Sequence, residues 1–233
     1  MTFTIIGIDK KNKEIGIACF SKALSVGGCC PAVDLNSGAV GTQAYPNVLY
    51  KEKALNLMKK YSPDKVISML IKNDPEKQKR QVLIMNSKGQ SSAFTGNQAT
   101  GWKGSLKGKD CICAGNTLKS EKVLIKMTEA FEKPKGSLAE RLISALIAGH
   151  NVGGDKRIRV YDSASLIVEK PKGGIFNLGN RYLDLRIDLS KNSIKDLNKL
   201  LKMQIANDKY WEKREKAIKK WNFTTAHLEK LKY

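Results

Sequence analysis

Apolar and β-branched residues fill two short stretches at the start of the chain, residues 3–8 and 14–20, with a polar segment between them. Apolar runs of this length, separated by turn-forming residues, are typical of paired strands and predict a β-hairpin. Similar stretches predict further strands at 32–34, 38–42, 81–85, 91–95, 110–114, 161–168 and 182–187.

Other stretches repeat their apolar positions with a helical period, at 49–58, 62–71, 120–131 and 137–148. A further amphipathic helix begins near Ile194, and a charged, aromatic stretch follows it. Strand pairs that alternate with helix pairs predict two packed sheets with helical layers outside. We therefore expect one domain over residues 1–205 and a charged helical extension over residues 206–233.

The composition is that of a globular protein. The chain has 233 residues, of which 41% are hydrophobic, so that it can bury a sizeable core and is neither disordered nor fibrous. No stretch approaches the roughly 20 apolar residues of a membrane helix, and the amino terminus lacks the basic region of a signal peptide. The odd number of cysteines, five, fits a reducing compartment. These features predict a cytoplasmic protein without a membrane partner.

The chain carries 42 Lys and Arg against 22 Asp and Glu, a formal net charge of +20. Such a charge attracts polyanions and suggests nucleic acid as a partner. The excess is mostly lysine spread over every segment, however, which is also typical of the surfaces of proteins from hyperthermophiles or from organisms with AT-rich genomes. Both interpretations stay open.

Several kinds of chemistry are disfavoured. Only His150 and His227 are available for a histidine-based triad or dyad. His150 follows the end of an apolar helix, where a helix-capping role is expected, and His227 lies in the charged tail. The pairs Cys29–Cys30 and Cys111–Cys113 lack the spacing of a zinc site, and no phosphate-binding motif is present. We expect neither a metal nor a cofactor.

Thr2 directly follows the initiator Met and is small enough to permit its removal. The mature chain would then begin with a Thr whose own α-amine, with an ordinary pKa of about 7.7 to 8.0, can act as general base for its hydroxyl. A nucleophile of this type needs no histidine.

The hairpin that follows Thr2 resembles the opening of N-terminal nucleophile hydrolases such as proteasome β subunits, in which the second strand brings a lysine to the terminal Thr. Lys22 matches that lysine. Over the chain as a whole, the sequence is similar to an uncharacterised domain family with an N-terminal nucleophile hydrolase-like fold. Seven ordered blocks carry this resemblance: residues 1–6, 21–27, 38–43, 115–118, 138–142, 153–157 and 181–186.

The resemblance and the order of the elements imply an α+β fold, a four-layer αββα sandwich of the N-terminal nucleophile hydrolase type, in a homo-oligomer. They also imply an amidohydrolase that cleaves a small amide or peptide bond. Thr2 would be nucleophile and base, and the Lys22 ammonium would tune it from about 4 to 6 Å away. Asn116, expected between a strand and a helix, is a candidate for the oxyanion hole.

Four other polar residues are candidates for binding a substrate. Asp155 and Arg157 occupy a Gly-rich loop suited to binding a carboxylate or amide substrate, and Arg181 with Asp184 is a second candidate pair. A structural ion pair is the alternative for each. The alternative for the whole chain is a catalytically silent binding or assembly module whose basic surface contacts nucleic acid or an acidic partner.

Overall fold

A computed structural model of the protein describes residues 2–133, 135–154, 157, 160–174 and 177–220. Within these residues the strands are β1 (Thr2–Asp9), β2 (Glu14–Ser21), β3 (Pro31–Asp34), β4 (Gly38–Ala44), β5 (Arg80–Asn86), β6 (Ser91–Thr95), β7 (Trp102–Lys107), β8 (Cys111–Leu118), β9 (Asp162–Glu169) and β10 (Arg181–Ser190). The α-helices are α1 (Val26–Cys29), α2 (Leu49–Met58), α3 (Pro63–Ile71), α4 (Lys122–Glu132), α5 (Leu138–Asn151) and α6 (Ser193–Lys220).

The larger sheet has six antiparallel strands in the order β10-β9-β2-β1-β8-β7. β1 is central because it pairs with β2 on one side and β8 on the other. The predicted hairpin at the start of the chain is confirmed, with Ile6 opposite Ile17 and Asp9 opposite Glu14. The start of the chain is therefore held on both edges by backbone hydrogen bonds.

The second sheet has four antiparallel strands in the order β3-β4-β5-β6 and packs against the first. Side chains alternate between the two faces of a strand, and one set from each sheet fills the space between them. This inter-sheet core contains Ile6, Ile8, Ile17, Ile112, Val33, Ala39, Leu83 and Met85. Both faces of β1 and β5 are buried, which accounts for the mixture of apolar and small residues in these two strands.

Helices cover the outer face of each sheet. α2 and α3 bury Tyr50, Ala54, Val66 and Leu70 against Val40 and Ile84 of the smaller sheet. On the larger sheet, α4 and α5 approach β1 closely at Gly7, where an added Cβ would lie 2.4 Å from Phe131 Cζ. Ser137 begins α5 with a capping box, since its hydroxyl accepts from Glu140 N and Glu140 Oε2 accepts from Ser137 N.

The chain divides into two compact units, the first ending at Leu197 and the second beginning at Asn198. In the described part of the second unit, the rings of Tyr210 and Trp211 meet edge to face at 5.5 Å. Among the described residues, none of the helices combines the length and the apolar character needed to cross a membrane.

The predicted mixture of helices and strands is confirmed, with three differences. β7 and the short helix α1 are not among the predicted elements. β8 continues to Leu118, so that Asn116 lies inside a strand and the expectation of a loop position was wrong. The helix predicted from near Ile194 is α6, which continues to Lys220 within the described residues.

Candidate functional site

Thr2 is the first residue of the central strand, and its side chain points between the two sheets. The alternation along β1 puts Thr2 and Thr4 on the same face, and Thr4 Oγ1 donates to Gln43 Oε1 of the smaller sheet at 2.6 Å. Thr2 Oγ1 donates to Ser21 Oγ at 3.3 Å, and Thr2 is 6% exposed. The hydroxyl is therefore held at the end of the inter-sheet space.

Four polar residues form a row across this end of the larger sheet. Thr2 lies opposite Asn116 of β8 and Ser21 of β2, and Ser21 lies opposite Ser163 of β9. Directly paired residues present their side chains on the same face. We call Asn116, Thr2, Ser21 and Ser163 the Thr2 row.

A second polar row faces it from the smaller sheet, where Gln43 pairs with Gln81 and Gln81 with Thr95. Gln81 is fully buried, and its Oε1 accepts from Gln43 Nε2 at 2.7 Å and from Asn116 Nδ2 at 3.0 Å. Its Nε2 reaches Thr95 Oγ1 and the carbonyl oxygens of Gly104 and Gly115. Because a buried amide is costly without partners, these bonds fix the Gln81 side chain and through it the Asn116 amide.

Lys22 follows the last residue of β2 and is half-buried. Its Nζ donates to the carbonyl oxygen of Arg157 at 2.6 Å, which connects the end of the hairpin with the Gly-rich loop of residues 153–157. The same loop reaches the end of β8, since Lys119 N donates to Gly154 O. Lys22 and Arg157 thus lie together at the Thr2 end of the sheet. Asp155, also a predicted site residue, lies outside the described residues.

Arg181 and Asp184 lie at the opposite end of the larger sheet. Arg181 Nε contacts Glu169 Oε1 at 2.9 Å and its Nη1 contacts Asp184 Oδ2 at 2.8 Å. Glu169 pairs with Ile15, which pairs with Ile8, six residues along β1 from Thr2. Six residues of a strand span about 20 Å. The structure does not bring this pair to Thr2, and the two charges satisfy each other and Glu169.

Two clefts open elsewhere on the first unit. One, of about 230 Å³, is lined by Phe20, His150, Asp162 and Ser193 among others, and one of about 400 Å³ lies beside the β1–β2 turn. Thr2 lines neither of them. His150 lies with its ring edge to face against Phe20 at 5.4 Å, a packing contact at the end of α5.

Sequence reasoning missed Ser21, Gln43 and Gln81. A signal for the two glutamines was present, since each occupies an inward-facing strand position in otherwise apolar or small surroundings. Polar residues at such positions need buried partners, which indicates a network. The sequence does not show which strand of the opposite sheet supplies those partners, because that depends on how the two sheets pack.

The model of the DUF1028 family, described as a family of unknown function, matches residues 2–197. No curated protein matches significantly. The crystal structure of protein SPO2555 from Silicibacter pomeroyi, a DUF1028 protein, is similar with 31% identity and a TM-score of 0.79, covering 87% of this chain and 85% of that one.

Two further solved structures are more distant. Thiobacillus denitrificans BPH matches with 14% identity and a TM-score of 0.43, and its complex with epoxomicin with 13% identity and a TM-score of 0.39. Each match covers 73% of this chain and 98% of the other. The family match over residues 2–197 and the 31% identity to SPO2555 agree: the chain belongs to the DUF1028 family of unknown function.

Proposed function

We propose that the protein is an amidohydrolase with a four-layer αββα fold of the N-terminal nucleophile type, and that it cleaves a small amide or peptide bond with Thr2. The observation that carries the proposal is the position of Thr2: it begins the central strand, with its hydroxyl between the sheets and the Asn116 amide opposite. A nucleophile on a rigid, doubly paired strand is held in one geometry, as catalysis requires.

The mechanism begins with removal of Met1, which frees the Thr2 α-amine. The neutral amine accepts the proton of the Thr2 hydroxyl as Oγ1 attacks the substrate carbonyl carbon. The resulting α-ammonium then gives this proton to the leaving amine, which departs and leaves an ester on Oγ1. Water, deprotonated by the same amine, hydrolyses the ester and restores the threonine.

Asn116 supplies the group that stabilises the tetrahedral oxyanion. Its Nδ2 has two hydrogens, and one is donated to Gln81 Oε1. We assign the second hydrogen to the oxyanion. Because Gln81 and Gln43 already hold the amide in place, little reorganisation is needed as charge develops, which is the basis of a strong oxyanion effect.

Lys22 and the Gly-rich loop complete the proposed site. We assign the Lys22 ammonium, which is anchored on the Arg157 carbonyl oxygen, to a position near the terminal amine, where its positive charge would favour the neutral, basic form of that amine. Asp155 and Arg157 in the same loop are the proposed contacts to a polar substrate. Arg181 and Asp184 have no part in this mechanism.

The proposal is tested by mass spectrometry and by acylation. The intact mass of the purified protein is expected to lack Met1, and periodate is expected to oxidise the 1,2-amino alcohol that removal of Met1 creates at Thr2. A β-lactone probe is expected to acylate Thr2, with the adduct mapped to the first peptide. Retention of Met1 in all of the protein would overturn the mechanism.

Variants of Thr2 and Asn116 test whether Thr2 reacts as the nucleophile. Thr2→Ser keeps the hydroxyl and should still be acylated, whereas Thr2→Ala should not. Asn116→Ala should slow acylation about 100-fold, the typical effect of removing one oxyanion donor. Equal labelling of the wild type and Thr2→Ala would contradict the proposal.

A further inference from the structure

Cys29 and Cys30 are adjacent thiols at the end of α1, the short helix that joins β2 to β3. Their Sγ atoms are 3.7 Å apart. Cys30 is 3% exposed and belongs to the inter-sheet core, whereas Cys29 is half-buried. Cys29 is therefore the partly accessible member of the pair, whereas Cys30 is shielded.

Two cations lie beside Gly28, the residue that precedes this pair. Lys51 of α2 donates from Nζ to the carbonyl oxygen of Gly28 at 2.9 Å. The guanidinium of Arg186 on β10 also lies close to Gly28, because its Nη2 would be 3.2 Å from a Cβ added at that glycine. Arg186 is also paired with Asp188. Positive charge around a partly exposed thiol favours the thiolate, the nucleophilic form.

The two sulfurs are electrostatically distinct. The hydrogen bond between the two thiols is the largest of the effects that together lower the pKa of Cys29 to about 6; burial opposes it, and Lys51 and Arg186 make smaller lowering contributions. The same hydrogen bond, together with burial, raises the pKa of Cys30 well above its ordinary value. Cys29 is thus the nucleophile, and Cys30 stays protonated beside it.

We propose that Cys29 and Cys30 form a reactive dithiol that hydroperoxides oxidise to a vicinal disulfide. The Cys29 thiolate attacks the distal oxygen of the hydroperoxide, the O–O bond breaks, and the departing alkoxide takes a proton to give an alcohol and a Cys29 sulfenic acid. Cys30 sulfur then attacks Cys29 sulfur; the S–O bond breaks, and the leaving hydroxide takes the Cys30 proton to form water. The hydroperoxide is reduced by two electrons and the two thiols are oxidised by two.

The other thiols of the chain provide an internal comparison. Cys19 is fully buried on β2, and its burial raises its pKa to about 12. Cys111 and Cys113 are both buried in β8, and burial raises the pKa of Cys113 as well. Thiols in such surroundings are inert as nucleophiles.

The test uses the full-length protein, reduced and then treated with hydrogen peroxide. The expected result is a mass loss of about 2 Da, corresponding to two thiol hydrogens, and a loss of two of the five free thiols, mapped to Cys29 and Cys30. Five unreacted thiols, a Cys111–Cys113 disulfide or a disulfide between two chains would overturn the proposal.

Variants assign the two roles. Cys30→Ser should leave a Cys29 sulfenic acid that dimedone traps, and Cys29→Ser should slow oxidation of Cys30 at least about tenfold, because the remaining thiol is buried and protonated. Cys113→Ser is the matched control and should form the disulfide at the wild-type rate. Circular dichroism of each variant confirms folding, and Cys30→Ala replaces Cys30→Ser if the serine variant does not fold. Absence of a dimedone adduct on Cys29 in a folded Cys30 variant would also refute the proposal.

Discussion

The buried amide of Gln81 shows how single residues set the geometry between the two sheets. It accepts hydrogen bonds from Gln43 and Asn116 and donates to neighbouring acceptors, so that Gln81→Leu would leave several buried polar groups without partners. We expect a loss of about 2 to 4 kcal/mol in the free energy of unfolding. Chemical denaturation measures it, with the exposed Gln98→Leu as control, for which the loss should stay within about 0.5 kcal/mol.

Individual site residues differed in how far the sequence could reveal them. Thr2 and Asn116 were identified from local context, and they lie opposite each other in neighbouring strands. Gln81 was not identified, because its amide partners are far away in sequence: Gln43 lies 38 positions away on the neighbouring strand, and Asn116 lies 35 positions away in the other sheet. Arg181 and Asp184 lie in one of the sequence blocks that carry the resemblance, yet β10 places them at the far end of the sheet. Spatial proximity of this kind depends on strand register, which a local pattern does not contain.

The elements were predictable where burial imposes a clear period. The first hairpin, α4 and α5 have long apolar patterns and were predicted within a few residues. β7 was missed because it is an edge strand whose positions are half-buried or exposed and include lysines and a glycine. α1 is a single turn containing two glycines, for which no helical period can be recognised.

The contact between α2, α3 and β5 depends on a buried ion pair that local patterns do not reveal. Arg80 Nε lies 3.0 Å from Asp74 Oδ2, with side-chain exposures of 10% and 7%, and Tyr50 of α2 donates to the same carboxylate at 2.5 Å. Asp74→Asn would leave the Arg80 charge buried without its partner. We expect it to lower the free energy of unfolding by about 3 to 5 kcal/mol. Glu129→Gln, in the exposed pair with Lys126, should cost less than about 1 kcal/mol.

The same ion pair predicts how stability responds to acid. The hydrogen bond from Arg80 keeps the pKa of Asp74 well below its ordinary value, aided by the one from Tyr50 and opposed by burial. The pKa is thus lower in the folded than in the unfolded state. The ionised Asp74 carboxylate therefore stabilises the folded state above the pKa of about 4 that it has in the unfolded chain. This contribution to the free energy of unfolding is lost as the pH falls towards the pKa of Asp74 in the folded state. Urea unfolding should therefore show a smaller difference between wild type and Asp74→Asn at about pH 3 than at about pH 7; a constant difference would contradict this explanation.

The protein combines two packed antiparallel sheets with a strongly basic net charge. The packing of the sheets could be predicted from the order of strands and helices, whereas the consequence of the charge could not. Alternating strand pairs and helix pairs leave few ways to bury all apolar faces, and two sheets with outer helices satisfy them. Net charge has no such geometric consequence. The net charge indicates that a partner would be negatively charged, and it leaves open which surface of the protein would bind that partner.

Residues 206–233, the predicted extension, contain eight Lys and Arg and four Asp and Glu, so that 16 of the 20 net positive charges remain without them. If the protein binds nucleic acid through its overall charge, removing this extension should leave binding to a labelled single-stranded DNA largely intact. Affinity should fall steeply between about 50 and 200 mM salt for both forms, because each phosphate contact releases counterions, and the slopes should be similar. Fluorescence anisotropy measures both slopes. Loss of binding on truncation would assign recognition to the extension, where Tyr210 and Trp211 are about half exposed and suited to base stacking, and would contradict a charge-driven surface.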